Sequence, residues 1–309
     1  IGVFIGEVNE MKNDKKMISV IIPTFARPTN LLRAIKSVVN QTYKDIEIII
    51  VDDNGLGTSQ QKETELLLKD FIDNNIIKYI KHDVNKNGSA ARNTGFAHSK
   101  GEYIAYLDDD DEFLPTKLQC QLNALLALDK TWGGCYCDTT LIDKDGNKTV
   151  YPCKKSGDLT VDMLLERTFF NTSTLLLHRD VIENLHGFDE TYRRHQDWEF
   201  LIRFFRKYKL KLVDNNGPLL NRYTADSTAF SKRINGKKII DLKKKFLSEF
   251  KQDILRYKEA NNIFITHWLV AARHLRNNGE KWWGFVAYMH MLRYKGLSFK
   301  DLITFFRNI

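Results

Sequence analysis

Residues 103–115 read YIAYLDDDDEFLP. The first five are apolar, drawn from Tyr, Ile, Ala and Leu, the composition of a strand buried on both faces. That strand empties without a spacer into four consecutive carboxylates, Asp108, Asp109, Asp110 and Asp111. Like charges this close repel and raise one another's pKa, so the cluster requires a positive partner. A hard divalent cation, Mg²⁺ or Mn²⁺, suits oxygen donors and can keep coordination positions open for phosphate. The bland alternative is a solvated acidic turn, but such a turn needs no strand of this apolarity aimed at it.

Upstream, two patterns alternate. MISVIIP (17–23) is a β-branched run closed by proline. RPTNLLRAIKSVVNQ (27–41) places Leu31, Leu32, Ile35, Val38 and Val39 at helical spacing behind Pro28 and Thr29. IEIIIV (46–51) is a second strand, and Asp52-Asp53-Asn54-Gly55 is its polar exit. Residues 60–73 predict a helix with Leu66, Leu67 and Phe71 turned inward, 77–80 a short strand, and 90–98 a helix ended by Gly101. Regular alternation of this kind predicts an α/β fold: a mostly parallel central sheet with helices on both faces.

In such sheets ligands sit beyond the carboxyl ends of the strands. Pro23-Thr24-Phe25, Asp52-Asp53 and the four aspartates are three such ends converging on one edge. NGSAARN (87–93) opens the helix before the acidic strand; its small residues, Gly88 among them, permit close backbone approach, and Arg92 near a helix N-terminus favours phosphate. No G-K-[ST] or G-x-G-x-x-G follows a strand, which removes Walker-type and dinucleotide-binding readings. The crevice suits a nucleotide diphosphate held with a metal ion.

Taken in order, SVIIPTFARP, IIIVDDN, NGSAARNTGFAHSKGEYIAYLDDDDEFLP and GFDETYRRHQDWEFLIR resemble family 2 glycosyltransferases of the GT-A fold, across about residues 17–225. The resemblance implies a metal-dependent enzyme that moves a sugar from a nucleotide donor, typically UDP, with inversion. It implies that Pro23, Thr24, Phe25 and Arg27 line the base pocket, Phe25 stacking on uracil. Asp53 would accept from the uracil N–H, and Arg92 would reach the base or pyrophosphate. Asp110 would ligate the metal, with Asp108 or Asp109 toward the ribose and sugar.

Elementary chemistry supports such a division. As the sugar leaves a nucleotide diphosphate, negative charge grows on the bridging phosphate oxygen, and a cation there stabilises it. The acceptor hydroxyl needs a base on the opposite face of the sugar. That base belongs to a carboxylate remote in sequence from the acidic cluster. Phe200, Leu201, Phe204 and Phe205 form the buried stripe of a helix with Asp197 and Glu199 in its first turn. A helix-capping role for Asp197 is the plain alternative; the family likeness favours Asp197 as base, with Glu199 supporting it. His195 is either a donor to the diphosphate or a surface residue.

Between these sites, residues 132–152 predict a hairpin around Asp145-Gly146-Asn147, residues 158–167 a short helix, and 172–177 a strand. In the family this half builds the acceptor side, so Asn171, Thr172 and Ser173 either line the acceptor groove or are the polar start of a strand. Where relatives carry a histidine in a Y-R-x-H type pattern, this chain has Asn221-Arg222-Tyr223-Thr224-Ala225-Asp226-Ser227, so Arg222, Tyr223 or Asp226 would have to substitute. Residues 226–236 are polar and predict a flap over the donor.

The chain has 309 residues and a net charge of +8. From residue 232 onward Lys and Arg number 17 against 6 acids, a balance of +11 that leaves −3 for residues 1–231. The expected organisation is an N-terminal extension (1–16), a GT-A catalytic domain (17–231, divided at residue 111 into nucleotide and acceptor halves) and a basic, aromatic C-terminal helical extension (232–309). That extension predicts helices over 237–260, 263–277, 280–294 and 298–307, carrying Trp268, Trp282, Trp283, Tyr288, Tyr294, Phe299, Phe305 and Phe306. They either cap the core or offer a membrane or homodimer surface. Nucleic acid is not an expected partner, because the acidic first 231 residues would repel it. Four irregularly spaced cysteines, no apolar run of membrane-spanning length and no basic-then-apolar leader in residues 1–10 predict a cytoplasmic protein, peripheral on the membrane at most. The expected acceptor is a glycan, lipid-linked oligosaccharide or glycoprotein. A nucleotidyltransferase or a silent nucleotide-sugar binder is the alternative; the first lacks the Gly- and Lys-bearing loop it would need after the first strand.

Overall fold

The structure, a computed structural model, describes residues 16–151, 153, 155–168, 171–213, 217–224 and 235–296. The expected helix over 298–307 and nearly all of the flap over 226–236 lie outside those residues, as does Asp226.

In chain order the elements are β1 (Ile18–Thr24), α1 (Pro28–Val39), β2 (Ile46–Asp52), α2 (Ser59–Leu67), α3 (Lys69–Asp73), β3 (Lys78–Lys81), α4 (Gly88–Ala97), β4 (Tyr103–Tyr106) and β5 (Asp111–Phe113). Then come α5 (Lys117–Leu126), β6 (Trp132–Tyr136), β7 (Thr139–Ile142), β8 (Lys148–Tyr151), α6 (Thr160–Leu164), a 3₁₀ turn (Thr172–Thr174), β9 (Leu176–His178), α7 (Arg179–Asn184) and α8 (Gln196–Phe205). The chain continues through β10 (Lys209–Leu212), β11 (Leu220–Tyr223), α9 (Gly236–Glu249), α10 (Lys251–Ile254), α11 (Ala260–Asn277) and α12 (Lys281–Lys295).

The main sheet has the order β10-β6-β9-β4-β1-β2-β3. β4, β1, β2 and β3 run parallel, as β-branched strands separated by crossover helices should. β9 enters antiparallel between β4 and β6. A second sheet, β5-β11-β7-β8, begins inside the acidic run, and the predicted hairpin is its β7–β8 pair.

Alternation along β1 divides the interior. Ile18, Val20 and Ile22 face a core with α1 and α5, and Ile21 faces a second core with α8. That second core also holds Phe246, Phe250, Trp268, Tyr288 and Met291 from the C-terminal helices. Burying each such side chain contributes roughly 1.5–3 kcal/mol, so these aromatics are committed to the interior. Trp282 and Tyr294 stay exposed, at 66% and 39%. No helix among the described residues is long and apolar enough to cross a membrane.

The sequence reading of 60–73 needs correction. Leu66 is 75% and Leu67 37% exposed, and Gln61, Thr64 and Leu68 face inward instead. The helix is interrupted at Leu68, where α2 ends and α3 starts, and of the leucine triplet only this last member reaches the core. Likewise the strand expected over 172–177 is a 3₁₀ turn followed by a strand of three residues.

Candidate active site

The four aspartates alternate. Asp109 and Asp111 are each 1% exposed, while Asp108 and Asp110 keep 28% and 17% of their side chains open to the crevice. Asp109 turns toward the first strand. It accepts from the Thr24 hydroxyl at 2.8 Å and the Phe25 amide at 3.3 Å, and pairs with Arg27 at 2.9 Å. The other three, Asp108, Asp110 and Asp111, bring carboxylate oxygens within 4.8 Å of one another. Of the two aspartates expected toward the ribose and sugar, Asp109 thus turns one oxygen to Thr24 and Phe25 and the other to Arg27, while Asp108 is the more exposed.

Four arginines, Arg27, Arg33, Arg92 and Arg222, surround this group. Arg27 straddles Asp109 and Asp110, so it is a clamp on the acidic run rather than a free wall of a base pocket. Arg33 donates to the Asp110 carbonyl at 2.7 Å. Arg222 sits directly across the ladder from Asp111 and acts electrostatically on Asp108, Asp110 and Asp111. Tyr223, the other proposed substitute for a histidine, spends its hydroxyl on Glu112 at 2.8 Å.

Burial acts to raise the Asp108 carboxyl, but the adjacent Arg92 guanidinium outweighs it and holds the group below its ordinary value. Burial pushes Asp109 up to about 7 despite Arg27, and raises Asp110 as well. Burial and repulsion from Asp108 and Asp110 push Asp111 up to about 8. Asp111 accepts from the Asn171 amide at 3.1 Å with one oxygen, while its Oδ1 is buried with no hydrogen-bond partner. Three clustered hard oxygen donors, one with an orphaned atom, fit a divalent cation.

Several expected roles change. Asp53 is 3% exposed and each of its oxygens takes two donors: His82 Nδ1 (2.7 Å) and the Lys86 amide (2.7 Å) on one, Asn85 Nδ2 (2.8 Å) and the Asn87 amide (2.9 Å) on the other. A carboxylate has about four lone-pair sites, so none is left for a uracil N–H, and Asp53 instead shapes the loop that leads into α4. Thr24 is buried against Asp109, whereas Phe25 is 37% exposed beside the half-buried Pro23.

Arg92 is 8% exposed. It donates to Gln196 Oε1 at 2.9 Å, Asp108 Oδ1 at 2.6 Å and the Thr172 hydroxyl at 3.3 Å. It thus bridges the acidic cluster to the start of α8 rather than standing free for a phosphate. A Cβ on Gly88 would lie 3.1 Å from the ends of both the Arg92 and Gln196 side chains, a tight contact that they would have to yield to. Asn171, Thr172 and Ser173, expected along an acceptor groove, are buried behind the cluster. Their side chains hold Asp111, Asp108 and, at 3.0 Å, the Asp108 amide, because antiparallel β9 brings the 3₁₀ turn beside β4.

Asp197 is partly buried in the first turn of α8, with Oδ1 accepting the Trp198 amide at 3.0 Å. Burial raises its carboxyl; Asp108 adds to this and Arg92 opposes it, which places all three groups in one electrostatic neighbourhood. Glu199, expected on the acceptor side, is 2% exposed and bound to Arg203, which also donates to the Leu185 and Gly187 carbonyls. The residues missed from sequence are Gln196, Asn93 and Arg203. Asn93 packs so tightly on Gly187 that a Cβ there would come within 2.5 Å of it.

Sheet order, crevice and carboxylate cluster define a nucleotide-sugar transferase fold of the GT-A type. Residues 19–185 match the family described as "Glycosyl transferase family 2", and the chain belongs to that family. An "Uncharacterized glycosyltransferase" of Rickettsia bellii is 32% identical over 196 residues, 62% of this chain but 27% of its own length. The "Amylovoran biosynthesis glycosyltransferase AmsB" of Erwinia amylovora is 28% identical over 252 residues, 78% of this chain and 81% of that protein. Among solved structures, S. aureus TarS 1-349 in complex with UDP-GlcNAc superimposes with a TM-score of 0.58 at 16% identity, covering 85% of this chain and 74% of that one.

Proposed function

We propose that this chain transfers a hexose or N-acetylhexosamine from a UDP-sugar to a hydroxyl of a glycan, lipid-linked or glycoprotein acceptor, with inversion. The observation that carries the reading is the three-carboxylate cluster joined through Arg92 and Gln196 to the helix bearing Asp197. Asp108, Asp110 and Asp111 would hold Mn²⁺ or Mg²⁺, which supplies charge neutralisation at the departing diphosphate. Phe25 offers an aromatic face to the base. Arg222 and Arg27 add positive charge where the diphosphate would lie. Asp197 accepts the proton of the acceptor hydroxyl as its oxygen bonds to the anomeric carbon and the bond to the UDP oxygen breaks. A carboxyl raised by burial is a stronger base than a solvated one, and its distance in sequence from the cluster lets it stand on the opposite side of the sugar.

The AmsB name supports a polysaccharide acceptor, and the UDP-GlcNAc held by TarS supports a UDP-linked donor. A panel of UDP-glucose, UDP-galactose and their N-acetyl forms, assayed for UDP release with and without Mn²⁺, tests the reading. Metal-dependent release from one of them is expected; release from none, or release indifferent to EDTA, would refute it.

A further inference from the structure

One buried cation joins the C-terminal helices to the start of α8. Lys243, on α9, is 5% exposed, and its Nζ lies 3.3 Å from His195 Nε2 and 3.2 Å from His267 Nδ1. His267, on α11, is 1% exposed. Trp198 stacks on His195 at 4.8 Å and meets His267 edge-on at 5.2 Å; Phe246 stacks on His267 at 5.5 Å. No carboxylate pairs with Lys243 among the described residues. Burial pushes the amine down to about 8, Glu166 opposing and Arg194 assisting. Both imidazoles are held well below their ordinary value by burial, then by Lys243, with Arg194 adding at His195 and His195 adding at His267.

An ammonium taken from water without an anion is costly, and methionine would fill the same space more cheaply. The lysine must therefore do something a hydrophobe does not. Its geometry says what. His195 is the N-cap of α8 with a left-handed φ of 59°, and its side chain makes no cap hydrogen bond. A left-handed conformation at a non-glycine residue is strained and persists only when its surroundings enforce it. Gln196 and Asp197 are the next two residues.

We propose that Lys243 is a positioning residue: by donating to His195 and His267 it pins the left-handed turn from which α8 departs, and so fixes Gln196 against Arg92 and Asp197 against the acidic cluster. The inference rests on Asp197 as the base.

The test is Lys243→Met in the full chain. A residue with only a packing role predicts a melting temperature unchanged or raised and no loss of turnover. The positioning role predicts the same melting temperature, Mn²⁺-dependent UDP affinity within about twofold of wild type, and kcat for UDP release lowered about 10–100-fold, the scale of an ångström misplacement. His267→Gln, which keeps an acceptor for the ammonium, should retain most of kcat, and His267→Leu should not. If Lys243→Met fails to fold, the two His267 variants decide by the same criteria. Unchanged kcat, or affinity and kcat lost together, overturns the proposal. An active Asp197→Asn would instead overturn the base assignment, whereas an inactive Asp197→Asn beside a fully active Lys243→Met sinks only the lysine's role.

Discussion

The two sides of the crevice are built by different means. The acidic side is written in one stretch: four aspartates at one strand end, with their arginines arriving from the loop after β1, from α1 and α4 and from β11. The side that bears Asp197, the proposed base, is assembled from afar: the start of α8 is contacted by Arg92 from α4 and by Lys243, which also meets His267, residues 48 and 72 positions downstream of His195. A cluster made by one short stretch tolerates distant change; a turn held by tertiary contacts does not.

The largest effect that would sharpen this contrast is at Asp197. Asp197→Asn should lower transfer about 10²–10⁴-fold, the usual worth of a general base, with UDP affinity in the presence of Mn²⁺ nearly intact. Loss of nucleotide binding in step with turnover would break it. Next comes a pair within the acidic run. Asp110→Asn should abolish the Mn²⁺-induced rise in melting temperature and cost about 10²–10³-fold in turnover. Asp109→Asn should leave that rise in place while destabilising the fold by about 1–3 kcal/mol, because it strips a buried partner from Thr24, Phe25 and Arg27.

The acidic run also sets a pH dependence. Burial raises the folded-state values of Asp109 and Asp111 to about 7 and about 8. Their contribution is thus fully present below the ordinary aspartate range and is lost as pH rises through those values. Between about pH 6.5 and 8, above the range in which the depressed imidazoles of His195 and His267 act in the opposite sense, these two aspartates should lower the melting temperature of the metal-free protein, and Mn²⁺ should raise it more at the alkaline end of that window. A Mn²⁺ effect larger at acid pH would contradict the ligand set. The smallest effect concerns α2 and α3: Leu66→Ala should change stability by under about 0.5 kcal/mol and Leu68→Ala should cost about 2–5 kcal/mol, read by urea denaturation.

What could be seen in the sequence follows the same division. The parallel strands, the crossover helices and the clustered aspartates were legible because each is written in a contiguous pattern. Asp109's inward turn was not, since nothing in DDDD says which carboxylates meet Thr24 and Arg27. Asp53 was visible as a strand exit, but its four donors come from residues 82–87 and reassign it from ligand to scaffold. Three consecutive leucines at 66–68 cannot all face one way on a helix, and only Leu68, where the helix is interrupted, reaches the core. Lys243 stands in a KKK run that reads as a solvated face; only the placement of His195 and His267 reveals it as interior. The uncertain element was consistently the partner distant in sequence.

The central claim is that one cation at Asp108, Asp110 and Asp111 and one carboxylate on α8 flank the same sugar. A crystal grown with UDP and Mn²⁺ tests it most directly. The account predicts manganese bound to these aspartates and bridging the diphosphate, with the Asp197 carboxylate facing the space beyond the terminal phosphate. Manganese bound elsewhere, or Asp197 turned away from that space, would contradict it.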